Sequence, residues 1–213
     1  MLVRERMSTP VVTIPPEMPV NEALSLMRQR GFSRLPVVQR GKLVGIVTEK
    51  HLLLASPSPA TSLSMWEINY LLSKLTVEKV MSREVVTVAG DTPIEEAARI
   101  MTDRNIGGLP VMQGEALVGI ITETDLFKLF LEFMGARERG VRATLLVKEE
   151  KGGLAHLARA IADAGGNIVA MGLYRGDDPA SRRATVKVGD ITADALEKAI
   201  RPHALRVLDV RTL

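Results

Sequence analysis

The 213-residue chain has no cysteine. That excludes a disulfide scaffold, a thiolate metal site and a cysteine nucleophile, and it fits a reducing compartment. Aromatic residues make up only 3% of it, too few for the stacking platforms that bind single-stranded nucleic acid. The basic excess is small and dispersed: residues 1–140 carry 16 Lys/Arg against 16 Asp/Glu, and residues 141–213 carry 12 against 9. With no basic stripe, nucleic acid is not an expected partner. No apolar run approaches the ~20 residues that span a bilayer. The opening MLVRERMSTP lacks the apolar stretch of a signal peptide, so a cytoplasmic address with no membrane contact is expected. Catalytic signatures are missing too, with neither a G-x-S-x-G elbow nor a G-x-x-x-x-G-K-[ST] loop. His156 and His203 have no ligand-type neighbours at metal spacing. The chain reads as a non-enzyme with no metal and no cofactor.

What is present is a duplication. Residues 3–52 align with residues 77–126 without a gap at an offset of 74, with 22 of 50 pairs identical; average composition would give about three. Shared stretches include Leu35-Pro36-Val37 with Leu109-Pro110-Val111, and LVGI at 43–46 with LVGI at 117–120. Each copy reads as strand, helix, strand, strand, helix. The β-branched runs VVT and VVTV are expected as first strands. Thr92-Pro93-Ile94-Glu95 has the makings of a capping box with proline at the first helical position. Ile94, Ala97, Ala98 and Met101, like Val20, Ala23, Leu24 and Met27, then form an apolar helical stripe. Proline opens each second strand, where no ladder donor is lost.

Between the copies, Pro57 and Pro59 mark a rigid turn. Ser64 and Glu67 make a second capping box, and Ile68, Leu71, Leu72 and Leu75 form one helix face. After copy two, Leu126, Leu129, Phe130 and Phe133 line one side of a helix running to Gly135, available either as core or as a contact surface. The expected boundaries are 1–56, a linker with helix at 57–76, 77–134, the charged linker GARERG at 135–140, and 141–213. The last segment reads as βαββαβ, the order of a ferredoxin-like fold. Its first helix is expected to turn Leu154, Leu157, Ala158 and Ile161 inward.

The candidate site is the junction LVGIITETDL, residues 117–126. Here a strand hands over to a helix, placing the Thr122 hydroxyl and the Asp125 carboxylate beside unpaired N–H groups. That suits a ligand with both sugar hydroxyls and phosphate. A carboxylate can accept from both hydroxyls of a ribose diol, and does so more strongly than a neutral group. The alternative is that Asp125 simply caps its own helix. Copy one keeps Thr48 but carries His51 in place of the aspartate; a neutral imidazole accepts a single bond, so ribose binding should weaken there. Lys50 and His51 could meet phosphate instead, or copy one could be a purely structural relic. Glu49 and Glu123 occupy equivalent places and read as structural.

The duplicated unit, with its LPVV strand and G-I-x-T-x-x-D/H-L ending, resembles a tandem pair of CBS domains (a Bateman module). The tail, with K-G-G-L after its first strand and G-G-N-I opening its second, resembles an ACT domain. The inter-repeat stretch is similar to that of the acetoin-utilisation AcuB family. The resemblance implies an α/β fold with two clefts related by pseudo-two-fold symmetry that take an adenosine nucleotide or S-adenosyl ligand. Thr122 and Asp125 would hold the ribose in one of them. Val86, Thr87, Val88, Ile106, Gly107, Gly108, Leu109 and Pro110 would wall the adenine, with the two glycines small to admit the ring, and Arg34 would meet phosphate. It further implies a homodimer acting as a regulator in acetoin- or acetate-linked metabolism upon an unknown regulated protein. An amino-acid-like effector would sit at Lys151, Gly152, Gly153 and Leu154 of one subunit with Asn167 and Ile168 of its neighbour. EEKGG departs from the customary Asp-x-Pro-Gly loop by lacking its proline. The competing expectation is a ligand-free dimerising module that scaffolds another enzyme.

Overall fold

The computed structural model describes residues 1–55, 64, 66, 67, 70, 74–176 and 178–213, and the chain divides into two compact units, Met1–Leu126 and Phe127–Leu213. The division falls inside the helix Glu123–Phe133. The expected turn at Pro57 and Pro59 and the helix-face positions Ile68, Leu71 and Leu72 lie outside the described residues.

In the first unit, copy one contains α1 (Val20–Arg30), β1 (Arg34–Gln39), β2 (Lys42–Thr48) and α2 (Glu49–Leu54). Copy two contains β3 (Val88–Ala89), α3 (Ile94–Arg104), β4 (Gly108–Gln113), β5 (Ala116–Thr122) and α4 (Glu123–Phe133). The hairpins β1–β2 and β4–β5 are antiparallel, each with a register shift at the equivalent place, Val37/Val38 and Val111/Met112. The expected first strands are corrected. VVT at 11–13 forms no strand, leaving a single Ile14–Val37 bridge, and in copy two only Val88–Ala89 pairs, parallel to β4. Pro36 and Pro110 stand at the third place of their strands rather than the first. Pro36 still costs no hairpin bond, because its carbonyl and the Val38 N–H both face Ile14.

The repeats exchange their leading segments. Val3 and Ser8 of copy one donate their N–H groups to Thr92 and Ile120 of copy two (2.9 and 2.8 Å), and Val77 and Ser82 of copy two donate to Met18 and Ile46 of copy one (2.9 Å each). The helices are started the same way. The first N–H of α3, at Ile94, is taken by the Met1 carbonyl (3.2 Å), and that of α1, at Val20, by the Leu75 carbonyl (2.9 Å). This corrects the expected Thr92 capping box: Pro93 is the N-cap, and no side chain caps the helix. The orphan donors of a helix start need some acceptor, and here the other repeat supplies one. Val77 accordingly lies in the copy-one core with Ile14, Val20, Ala23, Met27, Leu35, Val37, Val47 and Leu52. The Ser64–Glu67 box forms as expected, with Glu67 accepting from the Ser64 N–H at 2.8 Å and the Ser64 hydroxyl accepting in return at 3.3 Å.

The second unit is a four-stranded antiparallel sheet in the order β7–β8–β6–β9 with two helices. Its elements are β6 (Val141–Lys148), α5 (Gly153–Asp163), β7 (Asn167–Arg175), β8 (Ser181–Gly189), α6 (Ala193–Ile200) and β9 (Arg206–Thr212), the expected βαββαβ order. Val141, Ala143, Leu145, Val186 and Val188 pack with Leu157 and Ile161 of α5 and Leu196 and Ile200 of α6. Leu154 does not join them: at the first turn of α5 it stays exposed. Of the α4 stripe, Leu129 is buried, while Phe130 and Phe133 are more than half exposed, so those two phenylalanines are surface rather than core. No helix among the described residues is long and apolar enough to cross a membrane.

Candidate functional site

The two strand-to-helix junctions share a backbone but are capped in opposite senses. In copy two the Thr122 N–H and hydroxyl both donate to Asp125 Oδ2, at 2.9 and 2.7 Å. In copy one the direction reverses, with the Thr48 hydroxyl accepting from the His51 N–H at 3.2 Å. The physical cause is the residue at the third helical position, where a carboxylate can only accept and an imidazole offers no equivalent acceptor. Asp125 is thus a cap. It is not a saturated one: a carboxylate has about four lone-pair sites, and Oδ1 has no hydrogen-bond partner among the described residues. Thr122 and Asp125 are both half-buried, so this oxygen stands at an accessible helix N-terminus.

His51 carries the one buried unsatisfied side-chain nitrogen among the described residues, Nδ1. Lys50 beside it is exposed. The copy-one junction therefore offers one unmet polar atom and one solvated cation where copy two offers a carboxylate oxygen.

Arg34 reaches across from copy one. Its Nη1 donates to the Gly107 carbonyl. The guanidinium fills the space that side chains at Gly107 and Gly108 would need: a Cβ on Gly108 would stand 2.6 Å from Nη1 and 3.0 Å from Cδ. In this structure the two glycines leave room for the Arg34 side chain. Burial strips water from the guanidinium and lowers its pKa, while the Glu123 carboxylate opposes that shift.

The remaining expected wall divides. Val88 and Leu109 are buried core, with Leu109 completely so, and Pro110 is buried beside them; Val86 and Thr87 are exposed and Ile106 half-exposed. Only Val86, Thr87 and Ile106 are therefore free to meet a ligand through side chains. In the second unit, Gly152, Gly153 and Leu154 border a cavity of about 220 Å³ also lined by Lys148, Leu173 and Arg182. Lys151 is exposed next to it. Asn167 and Ile168 are not there: they pair with Gly189 and Val188 at the opposite end of the sheet from Lys148, which pairs with Ser181. Leu173 and Arg182 had no signal in spacing; they meet the helix start only through the β7–β8 register. Among the described residues no group of three metal-ligating side chains converges.

A CBS domain model matches residues 3–58 and again residues 77–132, more than half of the chain. The chain belongs to the CBS domain family. A CBS domain-containing protein of Dictyostelium discoideum is 33% identical over 135 residues, covering 62% of this chain and 93% of that protein. Another relative is much longer: the chain spans 23% of an L-aspartate semialdehyde sulfurtransferase of Methanocaldococcus jannaschii at 32% identity. Among solved structures, the CBS domain pair of protein MJ0100, in complex with 5′-methylthioadenosine and S-adenosyl-L-methionine, superposes with TM-score 0.52 at 31% identity, over 65% of this chain and 98% of that one. A putative acetoin utilization protein (AcuB) from Vibrio cholerae superposes with TM-score 0.54 at 29% identity, over 65% and 96%. The first unit is thus a tandem CBS pair. From residue 133 on, the second unit lies beyond the family match and is defined by its own βαββαβ order.

Proposed function

We propose that this CBS pair is a non-catalytic regulatory module that binds an adenosine nucleotide or adenosyl ligand in the Asp125 cleft. The observation that carries the reading is the half-used carboxylate. Asp125 Oδ2 holds the Thr122 junction, and Oδ1 stands at the start of α4 without a partner among the described residues, where a ribose diol could donate to it. The sister junction folds with a histidine in the same place, so the fold does not require the carboxylate. The adenosyl ligands bound by the MJ0100 pair support the ligand class, and the likeness to AcuB supports a place in acetoin- or acetate-linked metabolism. In this reading the chain acts as a cytoplasmic homodimer upon another protein. The exposed Phe127, Phe130 and Phe133 supply an apolar contact surface.

Isothermal titration with AMP, ADP, ATP, 5′-methylthioadenosine and S-adenosylmethionine tests the reading. At least one should bind the parent chain, and Asp125→Ala should weaken it about tenfold or more, the loss of a hydrogen bond to a charged group. Absence of binding by every adenosine compound would leave the scaffold alternative standing.

The cavity beside Gly152, Gly153 and Leu154 favours a second, effector-binding role for the tail, as an ACT-like domain. A second copy paired antiparallel along the free edge of β7 would bring its Asn167 and Ile168 toward Leu173 and so toward this cavity. Saturation-transfer NMR with the amino acids, read against Gly153→Val, tests that role; no difference between the two proteins would remove it.

A further inference from the structure

The two histidines of the second unit, His156 and His203, stand on either side of one cavity, and we infer that they bind a divalent transition-metal ion of the zinc, nickel or copper kind. The site lies outside the CBS match and does not depend on the adenosine cleft.

The pair is far apart in the sequence and comes from different elements. His156 is in the first turn of α5, where its N–H donates to the Gly152 carbonyl at 3.2 Å, and His203 ends the short 3₁₀ turn Arg201–His203 that follows α6. Backbone bonding brings them together. The Leu205 N–H donates to the Leu146 carbonyl at 2.8 Å, which pins the chain just past His203 to β6, the strand that leads into α5. The ring centroids then lie 6.4 Å apart with their planes inclined at 34°. An ion shared by two imidazoles sits about 2.0–2.1 Å from each ring nitrogen, which sets the centroids about 6.4 Å apart for collinear bonds and about 5 Å apart at the tetrahedral angle. Both side chains are exposed. Closing the pair by about 1 Å is therefore a rotation about side-chain torsions, with no backbone movement.

Both rings border a cavity of about 180 Å³ that Lys148, Glu150 and Gly153 also line. Glu150 leans over the start of α5: its Cγ is 3.5 Å from where a Cβ on Gly153 would stand. Three metal-ligating side chains do not already converge among the described residues. The histidines are thus the fixed part of the site, and the Glu150 carboxylate and water complete it.

The lining also selects the class of ion. Lys148 opposes any cation held by charge alone, and hard ions such as Mg²⁺ and Ca²⁺, which need several oxygen ligands, find one carboxylate. Imidazole nitrogen is the donor that zinc, nickel and copper take readily. Lys148 is exposed, so water and salt weaken its repulsion of an ion that two nitrogens bind directly. A bound ion would tie the start of α5 to the turn before β9. Lys148, Glu150 and Gly153 line the 220 Å³ cavity as well, so the ion would also hold a wall common to both.

The test uses the untagged full chain, stripped of metal with a chelator and titrated with Zn²⁺ by calorimetry, with Mg²⁺ and Ca²⁺ as comparators. One Zn²⁺ should bind per chain, and neither comparator should bind. His156→Gln and His203→Gln should each weaken Zn²⁺ at least about tenfold, since losing even a group that only supports a ligand costs that much. Glu150→Gln should weaken it less, about threefold, the worth of an exposed charge pair. Circular dichroism checks the fold of each variant. Imidazole NMR of the parent gives a readout that needs no substitution: the ring signals of His156 and His203 should shift together on one equivalent of Zn²⁺, and those of His51 should stay in place. No Zn²⁺ binding to the parent, an affinity within twofold of the parent in either histidine variant, or a shift at His51 in place of the pair overturns the site. An unchanged affinity in Glu150→Gln overturns the place given to that carboxylate.

Discussion

Truncating Val3 should damage copy two, not the copy to which it belongs. Val3 is fully buried, and its N–H donates to the Thr92 carbonyl at the entrance to α3. Val3→Ala removes two methyl groups at about 0.8 kcal/mol each and leaves a small cavity, for a total near 2 kcal/mol. If the CBS pair melts as one transition, its midpoint should fall by roughly 5–10 °C. The location of the damage is the sharper readout. The Ile94 and Ile120 amides are held by the Met1 and Ser8 carbonyls, whereas Val20 and Ile46 are held by Leu75 and Ser82. Amide exchange by NMR should therefore accelerate at Ile94 and Ile120 in Val3→Ala, and more so when residues 1–8 are deleted, with Val20 and Ile46 retaining protection. Val77→Ala, the equivalent change in copy two, should give the mirror pattern. Loss of protection at Val20 and Ile46 in Val3→Ala, with Ile94 and Ile120 unaffected, would refute the exchange of leading segments.

Three further outcomes follow from separate places in the chain. Asp125→Ala should lower stability by only about 1 kcal/mol, the usual cost of a lost helix cap, as measured by urea unfolding, so its larger effect on ligand affinity would be separable from misfolding. Gly140→Ala should cost roughly 2 kcal/mol, because the added Cβ would stand 2.6 Å from the Val188 carbonyl oxygen, a backbone atom that cannot step aside; a loss under half that in thermal unfolding of the tail would contradict the packing. The Asp209 carboxyl should titrate below the ordinary aspartate range, first because Arg211 hydrogen-bonds its charged form and then through attraction to Arg211 and Arg142, and despite partial desolvation. A depressed folded-state pKa contributes stability above the unfolded value and loses it as pH falls through the folded value. Carbon-13 titration should show the Asp209 midpoint rising toward the ordinary value in Arg211→Gln, and an unchanged midpoint would argue against this pairing.

Much of the local structure was readable without coordinates. The offset of 74 announced the duplication, and the hairpins formed where LPVV and LVGI placed them. The Ser64–Glu67 box and the βαββαβ order of the tail also appeared as expected, because each depends on residues close in sequence. Thr122 and Asp125 were legible as a junction pair for the same reason: a three-residue separation at a helix start puts their side chains within bonding reach. The failures have a common form. The Thr92 cap was misread because the acceptor for the α3 N–H comes from Met1, a partner no local window contains. The VVT strands were overestimated because β propensity reports fit to a sheet and not whether a neighbouring strand is long enough to pair. Leu154 has the spacing of a core residue, but it lies at the first turn of α5, where the sheet no longer covers it.

What the sequence by itself determined is which residues seek burial and which short segments are pre-shaped as turns, caps and strands, because those preferences act over a few residues. Tertiary structure decided which surface satisfies them. The leading segment of one repeat completes the other because each helix start and each strand edge needs an external partner, and two similar copies supply them reciprocally. Arg34 lies over Gly107 and Gly108 for the same kind of reason: it has a place there only because the other copy left that position without a side chain. Neither arrangement is contained in a spacing rule, since both depend on shapes that meet only after the two repeats have packed.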